Sequence, residues 1–429
     1  MFAIVDKKEK KQNLSCLFCM KRIMNLIKAS KSLLHQSLFP RKEYFFQLDE
    51  YLKTDLIIVV QGQRRSGKSY CIMGYLQQKQ IDEKEIFYLN KELDVEQQIQ
   101  NYTDLQKLFT QYQKEVKDPS YIVIDEIQDI HEREHFIRAR YTEKKYKIII
   151  SGSNSKLLSG ELSTYLAGRY LSFHLYPLGY QEFLEFNQTS FSFLDYFQYG
   201  GLPEIAKIKE RQTKTQYLKD IFDSILLKDI FSRFQIKDIP FFQKILLFLA
   251  DNIGNPFSLR NVQNFSKNYG WWNASLEKIS HYLQCLEIPF LIHKVPFYNL
   301  KGKQFLEYGG KYYFNDLGMR NVLKFNFNDD KGKLLENLVF LHLKRYGYEV
   351  FIGKMNNLEI DFIAKKENNL NYFQVAYTME EETTKQREFW NLLKIPDSYP
   401  KYLISVDPYP EDYQGIKHLN IEDFLKHFR

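Results

Sequence analysis

Gly62-Gln63-Arg64-Arg65-Ser66-Gly67-Lys68-Ser69 is the stretch on which the reading of this chain turns. It fits G-x-x-x-x-G-K-[ST], the loop that cradles the phosphates of a nucleoside triphosphate. The residues before it, Leu56 to Val60, are continuously apolar, as a strand buried on both faces of a parallel sheet requires. The residues after it, Lys68 to Gln77, read as a helix. Strand, glycine loop and helix N-terminus together make an anion site, because backbone N–H groups converge there and the helix dipole favours negative charge. Gly62 through Ser69, with Tyr70 beside them, are therefore expected to bind nucleotide. Lys68 would reach the β- and γ-phosphates, and the Ser69 hydroxyl would hold Mg²⁺. An ordinary glycine-rich turn is the competing reading.

A second element lies about fifty residues downstream. Tyr121-Ile122-Val123-Ile124-Asp125-Glu126 is an apolar strand ending in two acids, the Walker B arrangement. Asp125 is expected to hold the metal shell together with Ser69, and Glu126 to polarise the attacking water. Two acids capping a strand would look the same in isolation; the loop upstream favours the catalytic reading. Lys147 to Ser151 looks like another buried strand, ending in Gly152-Ser153-Asn154. Ser153 or Asn154 can sense the γ-phosphate or orient water there. A capped turn opening a helix at Lys156 accounts for the same residues. Arg169 ends the next helical segment. A lone arginine is ordinarily solvated or salt-bridged, but one placed here can serve as a finger in a neighbouring subunit's site.

In this order, GQRRSGKS, YIVIDEIQ, IIISGSNSKLLSGELSTYLAGRY, LYPLGYQEFL and YGGLPEI resemble a widespread prokaryotic group of AAA+ ATPases, over roughly residues 30 to 429. The resemblance implies an AAA+ core followed by a C-terminal region of unknown function. It also implies Arg169 as the finger and oligomers that complete each site in trans, with a hexamer as the expected form.

Bulk properties bound the rest. The 429 residues suffice for two or three domains with full cores. With 44% hydrophobic and 26% charged residues the chain reads as folded and soluble. No apolar run approaches the roughly 20 residues a bilayer span needs. Four cysteines in this length suggest a reducing, cytoplasmic setting. Cys16 and Cys19 form a C-x-x-C with no second pair nearby, so the pattern is read as incidental. Residues 1–30 read as an N-terminal extension without a signal peptide, with Met20 or Met24 as an alternative start. The net charge of +7 is compatible with a polyanionic partner. The 31 Tyr and 35 Phe are read mostly as core, though they also offer surfaces on which bases could stack.

Residues 31–175 alternate strands and helices, which predicts a parallel α/β core. Residues 176–238 are helix-rich and read as a lid, with Arg233 as a charged candidate that no motif fixes. Residues 239–325 read as a winged helix-turn-helix. In it a helix opened by Asn273 or Ser275 would enter a DNA groove, and two strands, Phe290 to Val295 and Tyr312 to Asn315, would frame a basic wing. Lys278, Lys294, Lys301 and Lys303 are the candidate phosphate contacts; a winged helix used only for protein packing is the rival.

Residues 331–429 form a further α/β unit. Glu336 on a helix, Asp361 on a strand and Gln374 on the next strand resemble the skeleton of the PD-(D/E)XK nucleases, which gather Mg²⁺. Gln374 stands where that pattern has an acid, and Ala376 where it has a lysine. The trio thus reads as a vestigial nuclease site, unless Lys365 or Lys366 reaches in to activate water. The fold class expected is α/β: a P-loop AAA+ core, a helical lid, a winged helix and a restriction-endonuclease-like domain. The function expected is an ATP- and Mg²⁺-dependent ATPase acting on DNA, with branched or four-way (Holliday) junctions suggested by analogy with resolvases. The alternatives are a nucleotide-dependent switch or scaffold for a protein partner, and an ATP-licensed Mg²⁺ nuclease.

Overall fold

The computed structural model describes residues 31–429 except 93–98, 156–165, 188–190, 269–274, 303, 307–308, 325–329 and 357. Cys16, Cys19, Asn273, Lys303 and Lys156 therefore lie outside the described residues. The chain divides into two compact units, one formed by Met1–Gly62 with Gly67–Leu175, the other by Gln63–Ser66 with Tyr176–Arg429.

The first unit is built on five short apolar strands: β1 (Ile57–Gln61), β2 (Ile86–Asn90), β3 (Tyr121–Asp125), β4 (Lys147–Gly152) and β5 (Tyr170–His174). They pair in the order β2-β3-β4-β1-β5, every pair parallel. Parallel strands need crossovers, and helices cover both faces of this sheet. Ile58, Val60, Val123 and Ile149 pack with Leu48, Ile72 and Leu76 from the helices Lys42–Leu52 and Lys68–Gln78. Ile57, Val59, Ile122, Ile124 and Ile150 pack on the other face with Leu105, Phe109 and Phe136, from Tyr102–Glu115 and Arg133–Thr142. Each such aliphatic side chain contributes about 1.5–3 kcal/mol by leaving water. Because β4 lies between β1 and β3, the loop after β1, the end of β4 and the acids ending β3 share one edge of the sheet. Sites in open α/β sheets form at such carboxyl ends.

The second unit opens with helices Tyr180–Asn187, Phe193–Tyr199 and Arg211–Ser224; the last runs into a π-helical turn, Ile225–Phe231. Gly200 and Gly201 follow the second helix. Gly200 holds φ +75°, and a Cβ there would lie 2.3 Å from Asp316 Oδ1; one on Gly201 would lie 2.2 Å from the Leu178 carbonyl oxygen. The Gly201 amide instead donates to Asp316 Oδ2 at 2.8 Å. Asp316 also caps the helix Leu317–Asn321, and burial pushes its carboxyl up to about 6.

Three helices follow, Ile239–Asp251, Leu259–Asn268 and Leu276–Glu287, capped by Asp238, Ser258 and Ser275 respectively. β6 (Ile292–Val295) then pairs antiparallel with Lys311–Phe314. The expected pair of strands is present, but what lies between them differs from a free wing. Pro296 ends β6, and β7 (Phe297–Asn299) and β8 (Gln304–Phe305) turn away as a hairpin. The chain then returns as β9 (Lys311–Phe314).

The remaining strands are β10 (Glu349–Met355), β11 (Leu358–Lys366), β12 (Asn369–Val375), β13 (Lys401–Ser405) and β14 (Lys417–Asn420). With the hairpin they make a seven-stranded sheet, β14-β13-β12-β11-β10-β7-β8. β10, β11 and β12 form an antiparallel meander, whereas β13 and β14 continue it in parallel. β7 joins β10 in parallel, Ile352 opposite Phe297, and so covers an edge that would otherwise present unpaired amides. Phe305 packs on Tyr298 and Phe351 at ring distances of 5.4 and 5.1 Å, which fixes the hairpin there. The helices Lys331–Arg345 and Glu382–Leu393 pack on this sheet, the second through Phe389 and Leu392 against Ile360, Ile363, Tyr372 and Leu403. Arg320 is fully buried; its guanidinium donates to the Ala250 carbonyl at 3.0 Å and pairs with Asp330, which precedes the helix Lys331–Arg345.

Candidate nucleotide site and carboxylate cluster

Lys68 is the first residue of its helix, and Gly67 before it holds φ +95°, a conformation glycine adopts without strain. That turn aims the Lys68 ammonium back along the loop. It donates to the Gly62 carbonyl at 3.0 Å and lies 3.2 Å from Glu126 Oε1, with the side chain only 5% exposed. One residue on, the Ser69 hydroxyl donates to one oxygen of Asp125, and the Ser151 hydroxyl at the end of β4 donates to the other. Burial is the largest influence on Asp125 and raises its pKa, and the neighbouring Glu126 raises it further; Lys68, Ser151 and Ser69 oppose both.

Glu126 adopts φ +53°, in the left-handed region that is costly for a residue with a Cβ. Such strain persists where surrounding contacts over-determine it. Here Glu126 Oε2 accepts from the Ser153 amide at 3.1 Å, the Ser153 hydroxyl at 2.8 Å and Gln128 Nε2 at 2.5 Å. The three sequence segments thus meet in one place: Lys68 and Ser69, Asp125 and Glu126, Ser151 and Ser153. Asn154 is buried nearby, its carbonyl accepting from Gln61 Nε2 at 3.4 Å. This set offers one cation, three hydroxyls and two carboxylates, among them the groups that a nucleotide phosphate and Mg²⁺ require. Ser69 with Asp125 fits the metal, and Lys68 fits the phosphate charge.

Other loop residues are placed differently. Arg65 and Tyr70 are exposed, Tyr70 by 50%. Gln63–Ser66 group with the second unit. There Arg64 makes a two-pronged ion pair with Asp229 of the π-helical turn, at 2.8 and 3.1 Å, and Gln63 Oε1 accepts from Asn315 at 2.7 Å. Asp229 was not singled out by sequence reasoning; the available signal was a lone acid inside the apolar run ILLKDIF. Ser66 is buried beside them. Arg169 is exposed and precedes β5, its carbonyl accepting from the Ile57 amide at 3.0 Å. It therefore stands at the amino end of the strands, while Lys68 follows their carboxyl end. Five residues of strand, about 15 Å, separate those ends.

An AAA domain model matches residues 54–184, and a model of a domain of unknown function matches 190–330. An uncharacterized protein of Haemophilus influenzae is 36% identical over 404 residues, covering 91% of this chain and 99% of that one. The chain belongs to this protein's family. An uncharacterized protein of Methanocaldococcus jannaschii is 31% identical and covers 77% of each chain. Among solved structures, a Walker-type ATPase of Pyrococcus abyssi aligns over 67% of this chain and 96% of its own, with 14% identity and a TM-score of 0.49. This family member carries an AAA domain built on a parallel-sheet P-loop core. Among the described residues no helix is long and apolar enough to cross a membrane.

The family member's second cluster lies in the C-terminal unit. Glu336, on the helix Lys331–Arg345, accepts from the Tyr313 hydroxyl at 2.5 Å and from the Lys311 ammonium at 2.7 Å. Lys311 also lies 2.8 Å from Glu359 Oε1 and 3.7 Å from Asp361 Oδ1, with its side chain 3% exposed. Asp361 Oδ2 accepts from the Val375 amide at 2.9 Å, and Gln374 Oε1 from the Asp361 amide at 3.4 Å. Glu336, Asp361 and Gln374 are thus brought together as the sequence suggests. Lys365 and Lys366 do not join them: Lys366 sits over the Tyr348 ring, and Lys365 pairs in register with Glu349. The lysine in the cluster is Lys311, from β9. Its signal was present in the sequence, since Lys311 and Tyr313, like Glu359 and Asp361, are two apart on a strand and share a face. Burial tends to lower the Lys311 pKa, but Glu336, Asp361 and Glu359 outweigh it and raise the value overall. For Asp361 burial dominates and, with Glu336, raises the pKa despite Lys311.

Of the groups expected on DNA, Lys278 is bound to Asp238 at 2.5 Å and lies over the Phe241 ring. Lys294 and Lys301 are exposed. Arg233 lies on the short helix Ser232–Phe234.

Proposed function

We propose that this AAA+ ATPase hydrolyses ATP at Lys68, Ser69, Asp125 and Glu126 and uses the cycle to act on DNA through its second unit. The observation that carries the reading is the convergence of those four side chains with Ser151 and Ser153. With nucleotide bound, Lys68 would exchange its contacts with Gly62 and Glu126 for phosphate oxygens, and Ser69 with Asp125 would hold Mg²⁺. With Lys68 turned to the phosphates, Glu126, still held by Ser153 and Gln128, would present Oε1 to polarise a water. Asn154 lines the same edge. Mg²⁺ supplies neutralisation of phosphate charge. Arg169, at the opposite strand ends, suits a neighbouring subunit's site and not its own, which supports an oligomer such as a hexamer.

DNA as the target is supported by the three-helix arrangement followed by β6 and β9, by the exposed Lys294 and Lys301, and by the net positive charge. The helix–β10–β11–β12–helix–β13 order resembles a nuclease-like domain, and branched or four-way DNA is the substrate class that fits it. Lys278, engaged by Asp238, favours a second reading: the winged helix packs against a protein partner and the chain is a nucleotide-dependent switch. The deciding experiment is an electrophoretic shift comparing linear, forked and four-way DNA with and without ATP. Binding that falls steeply between 50 and about 200 mM salt supports DNA contact, since phosphate contacts release counterions. ATPase activity without a shift on any of the three DNAs supports the switch.

A further inference from the structure

The carboxylates Glu336, Glu359 and Asp361 come from a helix and one strand face, and the group at their centre is an ammonium from another part of the unit. Three features make it a built position. Lys311 is almost wholly shielded, at 3% exposure, and touches two carboxylates at 2.7 and 2.8 Å. The surrounding oxygens are themselves oriented: Tyr313 donates to Glu336, Lys354 to Glu359 at 2.6 Å and the Val375 amide to Asp361. Gly254, with φ +69°, closes over the far side of Glu336, where a Cβ would lie 3.1 Å from Oε2. Carboxylates clustered away from water either take up protons or gather around a positive charge, and elsewhere in proteins a divalent cation often supplies that charge.

We propose that Lys311 is the resident cation of this cluster: it balances Glu336, Glu359 and Asp361, joins β9 to the helix Lys331–Arg345 and to β11, and keeps divalent metal out. This cluster therefore needs no metal for its fold and leaves no position among these three carboxylates for one that would hydrolyse phosphodiesters. This holds whether or not the protein binds DNA. It also assigns Lys311 a role opposite to that of a water-activating lysine, because its ammonium is spent on the carboxylates and has no metal-bound water to act on.

The test uses the full chain without nucleotide, with Mn²⁺ as the probe. Wild-type protein should bind no Mn²⁺ whose paramagnetic resonance signal changes in Asp361→Asn, and its melting temperature should not respond to EDTA. Lys311→Ala should melt roughly 5–10 °C lower, the shift expected when a buried ion pair loses one partner. It should also take up Mn²⁺ that Lys311→Ala/Asp361→Asn does not. If Lys311→Ala fails to fold, Lys311→Met/Glu336→Gln decides the matter, since removing one charge of each sign should restore at least half of the lost melting temperature relative to Lys311→Met. Mn²⁺ bound by wild type and lost in Asp361→Asn would overturn the proposal. So would a Lys311→Ala protein that melts as wild type and takes up no Mn²⁺, or a double variant no more stable than Lys311→Met.

Discussion

Glu126 pays a conformational penalty that only its partners explain. Its φ of +53° aims the carboxylate between Lys68 and Ser153, and both oxygens are committed. Replacing it by glutamine keeps the shape and the contact with Ser153 but removes the charge that polarises water. Glu126→Gln is expected to bind ATP as wild type does and to lose about 10²–10⁴ in turnover, the usual worth of a positioned base. Nucleotide binding by fluorescence and phosphate release together check this; turnover at the wild-type rate would remove Glu126 from the mechanism. Lys68→Ala should abolish binding itself. Arg169→Ala is expected to lower turnover by about 10³–10⁵ with affinity nearly constant. Mixed with Lys68→Ala subunits it should recover some activity, because some interfaces then carry both groups. An oligomer shown to exchange subunits, yet without recovery, would confine Arg169 to a structural role.

At the scale of elements, β1 to β4 are legible because each is an apolar run ending in polar residues, the pattern of a strand covered on both faces, whereas the edge strand β5 carries an exposed Ser172. Asp125 and Glu126 could be placed because they end such a run. The hairpin β7–β8 was not legible. Phe297–Asn299 is three residues long, and its partner Ile352–Lys354 lies some fifty residues on, so no local period marks the pairing. Arg64 was assigned to nucleotide because the loop motif names positions, not partners; Asp229 lies 165 residues away. Lys311 was passed over since a lysine in a strand ordinarily faces water. Arg320 illustrates the same blindness and gives a prediction. With one end on the Ala250 carbonyl and the other on Asp330, it bridges the helix Ile239–Asp251 to the start of Lys331–Arg345. Asp330→Ala leaves a fully buried guanidinium without its counter-charge and should cost about 3–5 kcal/mol in urea melts. A cost below about 1 kcal/mol would show that the guanidinium finds water.

For the whole molecule, acid should act mainly on the second unit. His342 is buried and His293 half-buried there, and the loss of water around the imidazoles lowers their pKa values, to about 4 for His293 and about 3 for His342, from an ordinary 6.5. His293 Nε2 bonds to Asn315 Oδ1 at 2.7 Å, and His342 Nε2 to the Phe428 carbonyl at 2.8 Å. Below pH 6.5 the unfolded chain gains protons that these folded imidazoles refuse. Stability from them is thus complete above pH 6.5 and is lost as the pH falls toward 4, by up to about 1.4 kcal/mol per pH unit for each histidine. Below pH 6 the buried carboxyls of Asp316, pushed up to about 6, and of Asp361 act in the opposite sense, so the comparison that isolates the histidine is with His342→Gln: measured from pH 7 to 4.5, its urea midpoint should gain on that of wild type as the pH falls. An unchanged slope in the variant would mean that the imidazole titrates normally in the fold. Binding to DNA, if it runs through exposed Lys294 and Lys301, should weaken uniformly across sequences when either is replaced by alanine, and the dependence on salt should flatten by about one charge.

The hairpin that leaves β6 and pairs with β10 also constrains how this family can change. Residue 330 looks like a seam, yet the sheet beyond it is completed by Phe297–Asn299 and Gln304–Phe305, and Lys311 supplies its charge from before the same seam. Recombination at 330 between distant relatives would join a hairpin and a lysine to a sheet that evolved with others. Lineages that exchange C-terminal domains should therefore carry breakpoints upstream of Pro296, and substitutions at Phe297 should track those at Ile352 across the family.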